Sequence, residues 1–409
     1  MAGQAVARDP ARLTYDFPTD PLSNEGRRMD ATELDAVLDT VRDLIRRRLI
    51  PNEPEIDETD EMPVGLKEEA ARMGLFGFAI PEEYGGLGLT MTQEAELVME
   101  LGYTTPAFRS MFGTNNGIAG HVLMEGGTEE QKKEFLPKLA SGEWVASFAL
   151  TEDGAGSDPA GLATAVRETA DGWVIDGSKR FITNAPVADV FMVFARHSEG
   201  PVAGEISALM VPAGTPGLTV APKDSKMGQH GAWTAEVYFD GVTVPKENLI
   251  GTVGKGYITA MRCLAHGRLH IAALCMGLAQ RALDETISYA GQRVQGGSVI
   301  GDHQLIQGLI ADSVTDVMAG KALVRSAAVE FDAGRDKRQA PSVAKYFCSE
   351  AVGRVTDRAV QVYGGSGYMR GISVERFYRD ARLFRIYEGT SQIQQIVIAK
   401  QALRTAAGK

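Results

Sequence analysis

Trp173-Val-Ile-Asp-Gly-Ser-Lys-Arg-Phe-Ile-Thr183 breaks the helical rhythm that fills the rest of the chain. Its branched and aromatic residues flank Asp176-Gly177, a pair that favours a tight turn, so the stretch reads as two short strands. Similar runs follow at Val190–Ala195, Ser207–Val211 and Ala235–Phe239, and Asp240-Gly241 with Pro245 punctuates the end. Residues 148–250 are therefore expected to form a middle β domain, a small barrel or sandwich.

On both sides the apolar period is helical. Upstream, Asp30 and Glu33 have capping-box spacing, and Leu34, Val37, Leu38, Val41, Leu44 and Ile45 recur at three- and four-residue steps. Pro51 and Pro54 are expected to stop that helix. Helical patterns resume at Val64–Met73, Thr92–Leu101 and Glu129–Leu139, with turn-rich Pro81–Leu89 between the first two. Residues 30–147 thus read as an N-terminal helical domain and 1–29 as a polar lead-in. Downstream, Leu269–Arg293, Gln304–Asp332 and Pro341–Val362 are long periodic runs, and Thr390–Leu403 is a final helix. Long helices with short connections predict an antiparallel bundle over 251–409. The fold class is mainly α with a middle β domain.

Lysine and arginine number 42 against 53 acidic residues, a formal charge of −11. That balance argues against a nucleic-acid footprint, although local arginines can still hold a phosphate. Cys263, Cys275 and Cys348 are scattered, so neither a disulfide framework nor a zinc site is expected. The first twenty residues have no apolar signal region, and no apolar run approaches the ~18 residues of a membrane span. A cytoplasmic protein is expected.

Several motifs carry possible chemistry. In Phe148-Ala-Leu-Thr-Glu-Asp-Gly-Ala-Gly-Ser-Asp158, Gly154 and Gly156 allow close backbone approach and Ser157 can bond a phosphate. Pro159 and the lack of a βαβ unit rule out a dinucleotide fingerprint, and a plain inter-domain loop accounts for the stretch equally well. Phe181-Ile-Thr-Asn184 could cover a flat heterocycle, but alone it reads as a buried strand aromatic. His266 and His270 stand at i, i+4 beside Arg268. With no third ligand near, they read as a partly exposed helix face rather than a metal site. Arg268 suits a phosphate or a carboxylate. Arg293-Val-Gln295 with His303-Gln304, and Gln361 through Gly367, mark helix ends. In Ile386-Tyr-Glu-Gly-Thr-Ser-Gln392, Glu388 precedes Thr390, an apt N-cap, and alone would be a helix-start carboxylate.

Together, from near residue 30 to the C-terminus, these motifs resemble the acyl-CoA dehydrogenase family, in particular its short- and medium-chain members. Leu150-Thr-Glu152 with Ala155-Gly-Ser-Asp158 is similar to the family's flavin loop. Arg379-Asp-Ala381 with Ile386-Tyr-Glu-Gly-Thr-Ser391 is similar to its most specific signature. Gln361–Tyr368, Tyr84-Gly-Gly86 and Glu129-Glu-Gln-Lys132 also match.

The resemblance implies FAD as cofactor and an acyl-CoA thioester as substrate, in fatty acid β-oxidation and lipid metabolism. It implies Glu388 as the base taking the α-proton while flavin N5 takes the β-hydride, with electrons passing to an electron-transferring flavoprotein. Phe148, Leu150, Thr151, Ser157, Phe181, Ile182 and Thr183 would hold the flavin ring and nearby phosphates, and Thr390, Ser391 and Gln392 the adenosine side. Arg293, Gln295, His303, Gln304, Gln361, Gly364 and Gly365 would come from a neighbouring subunit of a homotetramer, a dimer of dimers. Ser157, Arg268 and Gly389 would meet the substrate, Arg268 at its CoA portion. The backbone N–H of Glu388 would polarise the thioester carbonyl.

Some relatives carry the base one residue before the equivalent of Arg268, here Gly267, which has no side chain to act. The chain departs from the family at Gly296-Gly297, where relatives have Phe-Gly, and at Ala265, where many have aspartate. Alternatives are an oxygen-using oxidase or flavin monooxygenase of similar fold, and a non-catalytic FAD-binding subunit of a heteromer. Acyl-pocket depth is expected to depend on residues 92–115 and 255–275.

Overall fold

The computed structural model describes residues 29–407, so the expected lead-in lies, Met29 apart, outside the described residues. Helix α1 (Ala31–Leu44) starts at the anticipated capping box, with Asp30 Oδ1 accepting from Glu33 N–H at 2.9 Å and Glu33 answering at 3.1 Å. Pro51 and Pro54 do not stop it. The chain passes through a π-helical turn, Ile45–Leu49, into α2 (Ile50–Thr59), which contains both prolines. Pro51 stands directly after the π turn, in the first turn of α2. The Asn52 side-chain amide donates to the Arg48 carbonyl at 2.6 Å. The helix ends at Asp60, at φ 58°.

Helices α3 (Leu66–Arg72), α4 (Met91–Leu101), α5 (Pro106–Asn116), α6 (Ala119–Gly126) and α7 (Glu129–Ala140) complete this region. Most of α5 is buried on every side, which removes the polar face that a periodic pattern needs.

The β domain holds β1 (Ala146–Ala149), β2 (Ala165–Glu168), β3 (Trp173–Thr183), β4 (Val190–His197), β5 (Ile206–Pro212), β6 (Leu218–Val220), β7 (Thr234–Val244) and β8 (Leu249–Ile250). Their order is β6-β7-β3-β2-β4-β5-β8, with β1 parallel to β4. The stretch expected to be a hairpin is instead one strand, β3, paired antiparallel with β7. Asp176-Gly177 is an irregularity in that ladder, and Gly241 N–H on β7 donates to Asp176 Oδ1 at 2.7 Å. Glycine is needed at 177 for closeness rather than for a turn: a Cβ there would lie 2.7 Å from the Thr164 backbone.

The rest is helical: α8 (Gly256–Ala290), a small hairpin of β9 (Val294–Gln295) and β10 (Ser298–Val299), α9 (Gln304–Asp332), α10 (Gln339–Tyr363), α11 (Ser373–Arg382) and α12 (Ser391–Ala406). One apolar core runs from α1 and α4 through α8, α9, α10 and α11, so N-terminal helices and bundle are packed as a single body. Where α4 crosses α8 the backbones touch. A Cβ on Gly277 would collide with the Met99 carbonyl and Gly102, and one on Gly102 with the Leu274 carbonyl. Among the described residues no helix is long and apolar enough to cross a membrane. All three cysteines are buried and unpaired.

Candidate active site

Glu388 lies in the link between α11 and α12, with a left-handed φ of 55°, and Gly389 follows at φ 85°. A non-glycine residue there is strained and must be held by its surroundings. The side chain points to α8: a Cβ built on Gly267 would lie 2.9 and 3.1 Å from the two Glu388 carboxylate oxygens. Oε2 is buried without a hydrogen-bond partner, and the backbone N–H of Glu388 also has none among the described residues. Burial raises the carboxyl pKa, opposed by Arg109 of α5, Arg268 of α8 and Lys345 of α10. Glycine at 267 is thus the gap into which the carboxylate fits.

The signature before it acts as a clasp. Arg379 pairs with Asp57 of α2 at 2.7 Å and with Glu375 at 2.8 Å. Asp380, pushed up to about 6 by burial, accepts from the Gln229 N–H of the β domain. Three regions of the chain therefore fix where the link begins. Arg268, expected at the CoA portion, is buried beside Glu388. Its Nη1 donates to Ser342 Oγ at 3.2 Å, and its Nη2 lies against Gly389.

The two motifs expected at the flavin meet in space. Arg180 N–H donates to the Thr151 carbonyl at 2.8 Å, Ser147 Oγ to the Thr183 carbonyl at 2.8 Å, and Lys179 Nζ to the Leu150 carbonyl at 3.2 Å. Phe148, Leu150, Thr151, Phe181 and Thr183 consequently share one patch, while the Ile182 side chain between them is buried in the core of the β domain. Phe181 is not the buried aromatic its strand suggested. It is 58% exposed at φ 57°, with the Arg180 guanidinium 4.8 Å from its ring centre. The half-buried Thr151 and Thr183 make no side-chain hydrogen bond among the described residues. An exposed aromatic plane flanked by two free hydroxyls fits a flat, edge-polar ring. Ile118 joins this patch to Glu388, packing on the cluster of Phe148 and Leu150 and lying 3.0 Å from the Gly267 Cβ position.

Residues 31–143, 147–242 and 254–403 match, in turn, the N-terminal, middle and C-terminal domains of acyl-CoA dehydrogenase. The chain belongs to the acyl-CoA dehydrogenase family. It is 38% identical over 350 residues to the caffeyl-CoA reductase–Etf complex subunit CarC of Acetobacterium woodii, covering 86% of this chain and 92% of that one. The structure of butyryl-CoA dehydrogenase from Megasphaera elsdenii superposes with a TM-score of 0.87 at 34% identity, over 91% and 98% of the two chains. Acyl-CoA dehydrogenase complexed with FAD from Bacillus anthracis gives 0.86 at 33%, over 93% and 68%.

Acyl-CoA dehydrogenases are flavin oxidoreductases, and the other expected cofactor residues of this family member fall in three places. Ser157 stands exposed on the open glycine loop. At the start of α12, Thr390 Oγ1 caps Ile393 N–H at 3.2 Å and Gln392 is exposed, but the buried Ser391 hydroxyl already donates to Glu350 at 2.6 Å. Arg293, Gln295, His303, Gln304, Gln361, Gly364 and Gly365 are all exposed and gather at one corner, where Tyr289 of α8 stacks on Tyr363 of α10 at 3.9 Å. The departure at Gly296-Gly297 has a cause: both residues sit at positive φ, 63° and 89°, in the two-residue turn of the β9–β10 hairpin. Ala265, the other departure, is buried.

The dehydrogenase's paired histidines are not on a partly exposed helix face. His266 and His270 are buried, and a third group is near them, Glu94 of α4. His270 Nδ1 accepts from Arg109 Nη2 at 2.9 Å, and its Nε2 faces Glu94 Oε2 at 2.5 Å. Arginine can only donate, so the His270 proton is on Nε2 and is given to Glu94. A metal at that nitrogen would need the lone pair this tautomer lacks, which argues against a metal centre. Burial holds both histidines down to about 3, hence neutral. Glu94, Arg109 and Lys345 went unforeseen in the sequence. The one local signal was Gly113, four residues after Arg109, where a Cβ would meet the guanidinium at 2.7 Å.

Proposed function

We propose that this chain is an FAD-dependent acyl-CoA dehydrogenase in which Glu388 takes the α-proton of a thioester and a trans-2-enoyl-CoA forms. The observation that carries the reading is the half-buried Glu388, whose Oε2 is enclosed without a partner and packed where α8 offers a glycine. The α-C–H bond breaks toward Glu388, the β-hydrogen leaves with its electron pair, and the carbon–carbon double bond forms. Bound FAD supplies the acceptor for that hydride, held by the Phe148–Thr183 patch. The free N–H of Glu388 is a fixed donor for the thioester oxygen as charge develops there. Desolvation strengthens the base, while Arg109, Arg268 and Lys345 oppose that rise and favour its ionised form.

Support for an electron-transferring flavoprotein as partner comes from the relative described as part of an Etf complex. That relative is called a reductase, and the same residues serve either direction by microscopic reversibility. Buried, unpaired cysteines suit the cytoplasm as compartment. The test is anaerobic flavin bleaching of the yellow protein, expected with about one FAD per chain, over a series of acyl-CoAs from short to long and branched. A colourless protein that cannot be reconstituted, or a flavin that no acyl-CoA reduces, overturns the reading.

We further propose a homotetramer in which the exposed corner serves a neighbour's FAD. Gln361 lies about 24 Å along α10 from Lys345, the residue that touches the base's turn, too far to serve the same end of the cofactor. Arg293→Ala is expected to lower both FAD retention and tetramer stability, by roughly 1.5–3 kcal/mol per lost charged contact. Sedimentation and flavin content equal to wild type would count against the corner's role.

A further inference from the structure

Lys345 is a buried cation whose only hydrogen bond among the described residues serves the turn at Glu388. It sits on α10 with no exposed surface, and Nζ donates to the Gly389 carbonyl at 2.6 Å. Gln394, equally buried, donates to the carbonyls of Glu388 and Gly389 at 3.0 and 2.9 Å. These bonds hold two successive left-handed residues, one of them not glycine. Removing a charged group from water is costly unless it is compensated, and a lone carbonyl is thin compensation. The groups electrostatically close to Lys345 are Cys275 and Arg268 of α8, Glu350 of α10, and Glu388 itself. Cys275 is held in its neutral thiol form by burial, and Glu350 is already engaged by Arg385 and Ser391. The opposite charge left to the ammonium is Glu388.

We propose that Lys345 is a positioning residue for the reaction: its ammonium pins the Glu388–Gly389 turn and sets the proton affinity of the base. The inference rests on the reading of Glu388 as base. Burial raises the proton affinity of the Glu388 carboxyl. Three cations counter this from three helices, Arg109 of α5, Arg268 of α8 and Lys345 of α10. The two arginines are tied to His270 and Ser342, whereas Lys345 is bonded to the turn itself. It therefore couples the geometry of the base to its charge, which neither arginine does.

The test compares Lys345→Met, which keeps the length and removes charge and donor, with Lys345→Gln, which removes only the charge. Protonation of Glu388 is followed by infrared difference titration, its band identified by its absence from Glu388→Gln. Flavin bleaching by butyryl-CoA is followed over the same pH range. Loss of a neighbouring opposite charge is expected to raise the Glu388 midpoint by about one pH unit in both variants. The acid limb of bleaching should move with it, and Lys345→Met should also be slow above the midpoint, where Lys345→Gln recovers. If Lys345→Met does not fold with FAD, the Lys345→Gln titration decides alone. An unmoved Glu388 midpoint overturns the proposal. A moved midpoint in a protein that no acyl-CoA bleaches would sustain the role of Lys345 and overturn the reading of the base.

Discussion

Glu388→Gln is expected to slow flavin reduction by an acyl-CoA by about 10²–10⁴-fold or more, because no second carboxylate among the described residues reaches the same point. FAD content and substrate binding should persist, since the amide keeps the shape and the backbone N–H. Stability should move the other way. The folded-state pKa of Glu388 is raised, so between its unfolded and folded values the native state binds more protons, and wild-type stability falls as pH rises through that window. Glutamine removes this penalty. The variant should melt higher than wild type at neutral pH, with the gain vanishing in acid below the ordinary carboxylate range. The wild-type rate should fall as pH drops through the raised pKa. Near-normal reduction in Glu388→Gln would show that the base has been misassigned. A side chain at 267 and one at 388 occupy the same space, so Gly267→Glu should restore some activity only with Glu388→Gly, for which φ 55° is free of strain.

Lys179→Met should destabilise the protein by about 3–5 kcal/mol, the range for breaking one partner out of a buried ion pair. Lys179 has no side-chain exposure and lies 2.7 Å from Glu152, whose carboxylate also accepts from Ala163 and Thr164 N–H at 2.6 and 2.9 Å. Burial lowers Lys179 to about 8, a sign that the charge is costly where it sits. Leaving Glu152 alone is costlier still. Lys179 also holds the Leu150 carbonyl, so FAD should be lost with the loop. Thermal melting and flavin content of Lys179→Met, compared with Lys179→Met/Glu152→Gln, provide the check. The double variant should recover part of the loss, and equal melting of the two would show that the orphaned charge is not the cause.

The succession of helices, strands and helices was legible because periods of 3.6 and 2 are local properties, as was the capping box at Asp30 and Glu33. Features made by distant partners were not. The proline reading failed because the π turn before Pro51 is a matter of backbone register, not composition. Asp176-Gly177 looked like a hairpin turn because its true partner, β7, lies far along the chain. Phe181 looked buried because its left-handed backbone, which turns it outward, leaves no trace in the alternation. The histidines were placed on a half-exposed face because Glu94 stands 172 residues from His266. Glu388 itself was legible only through the ordered set of motifs. Its own neighbourhood describes a helix start, and the glycine and cations that surround its carboxylate lie on other helices.

Because Gly102 and Gly277 meet backbone to backbone, the spacing of α4 and α8 is a quantity that point mutation can only spoil. Any other residue there puts a methylene where a carbonyl already stands, and overpacking of this kind costs about 1–3 kcal/mol or more. Glu94 rides on one of these helices, and Gly267, His266 and His270 on the other. Their alignment is inherited as a unit. Descendants of this chain can exchange the side chains that face the acyl group, but they cannot ease the two helices apart. Its substrate range should therefore evolve in discrete steps, one side chain at a time, rather than by gradual widening.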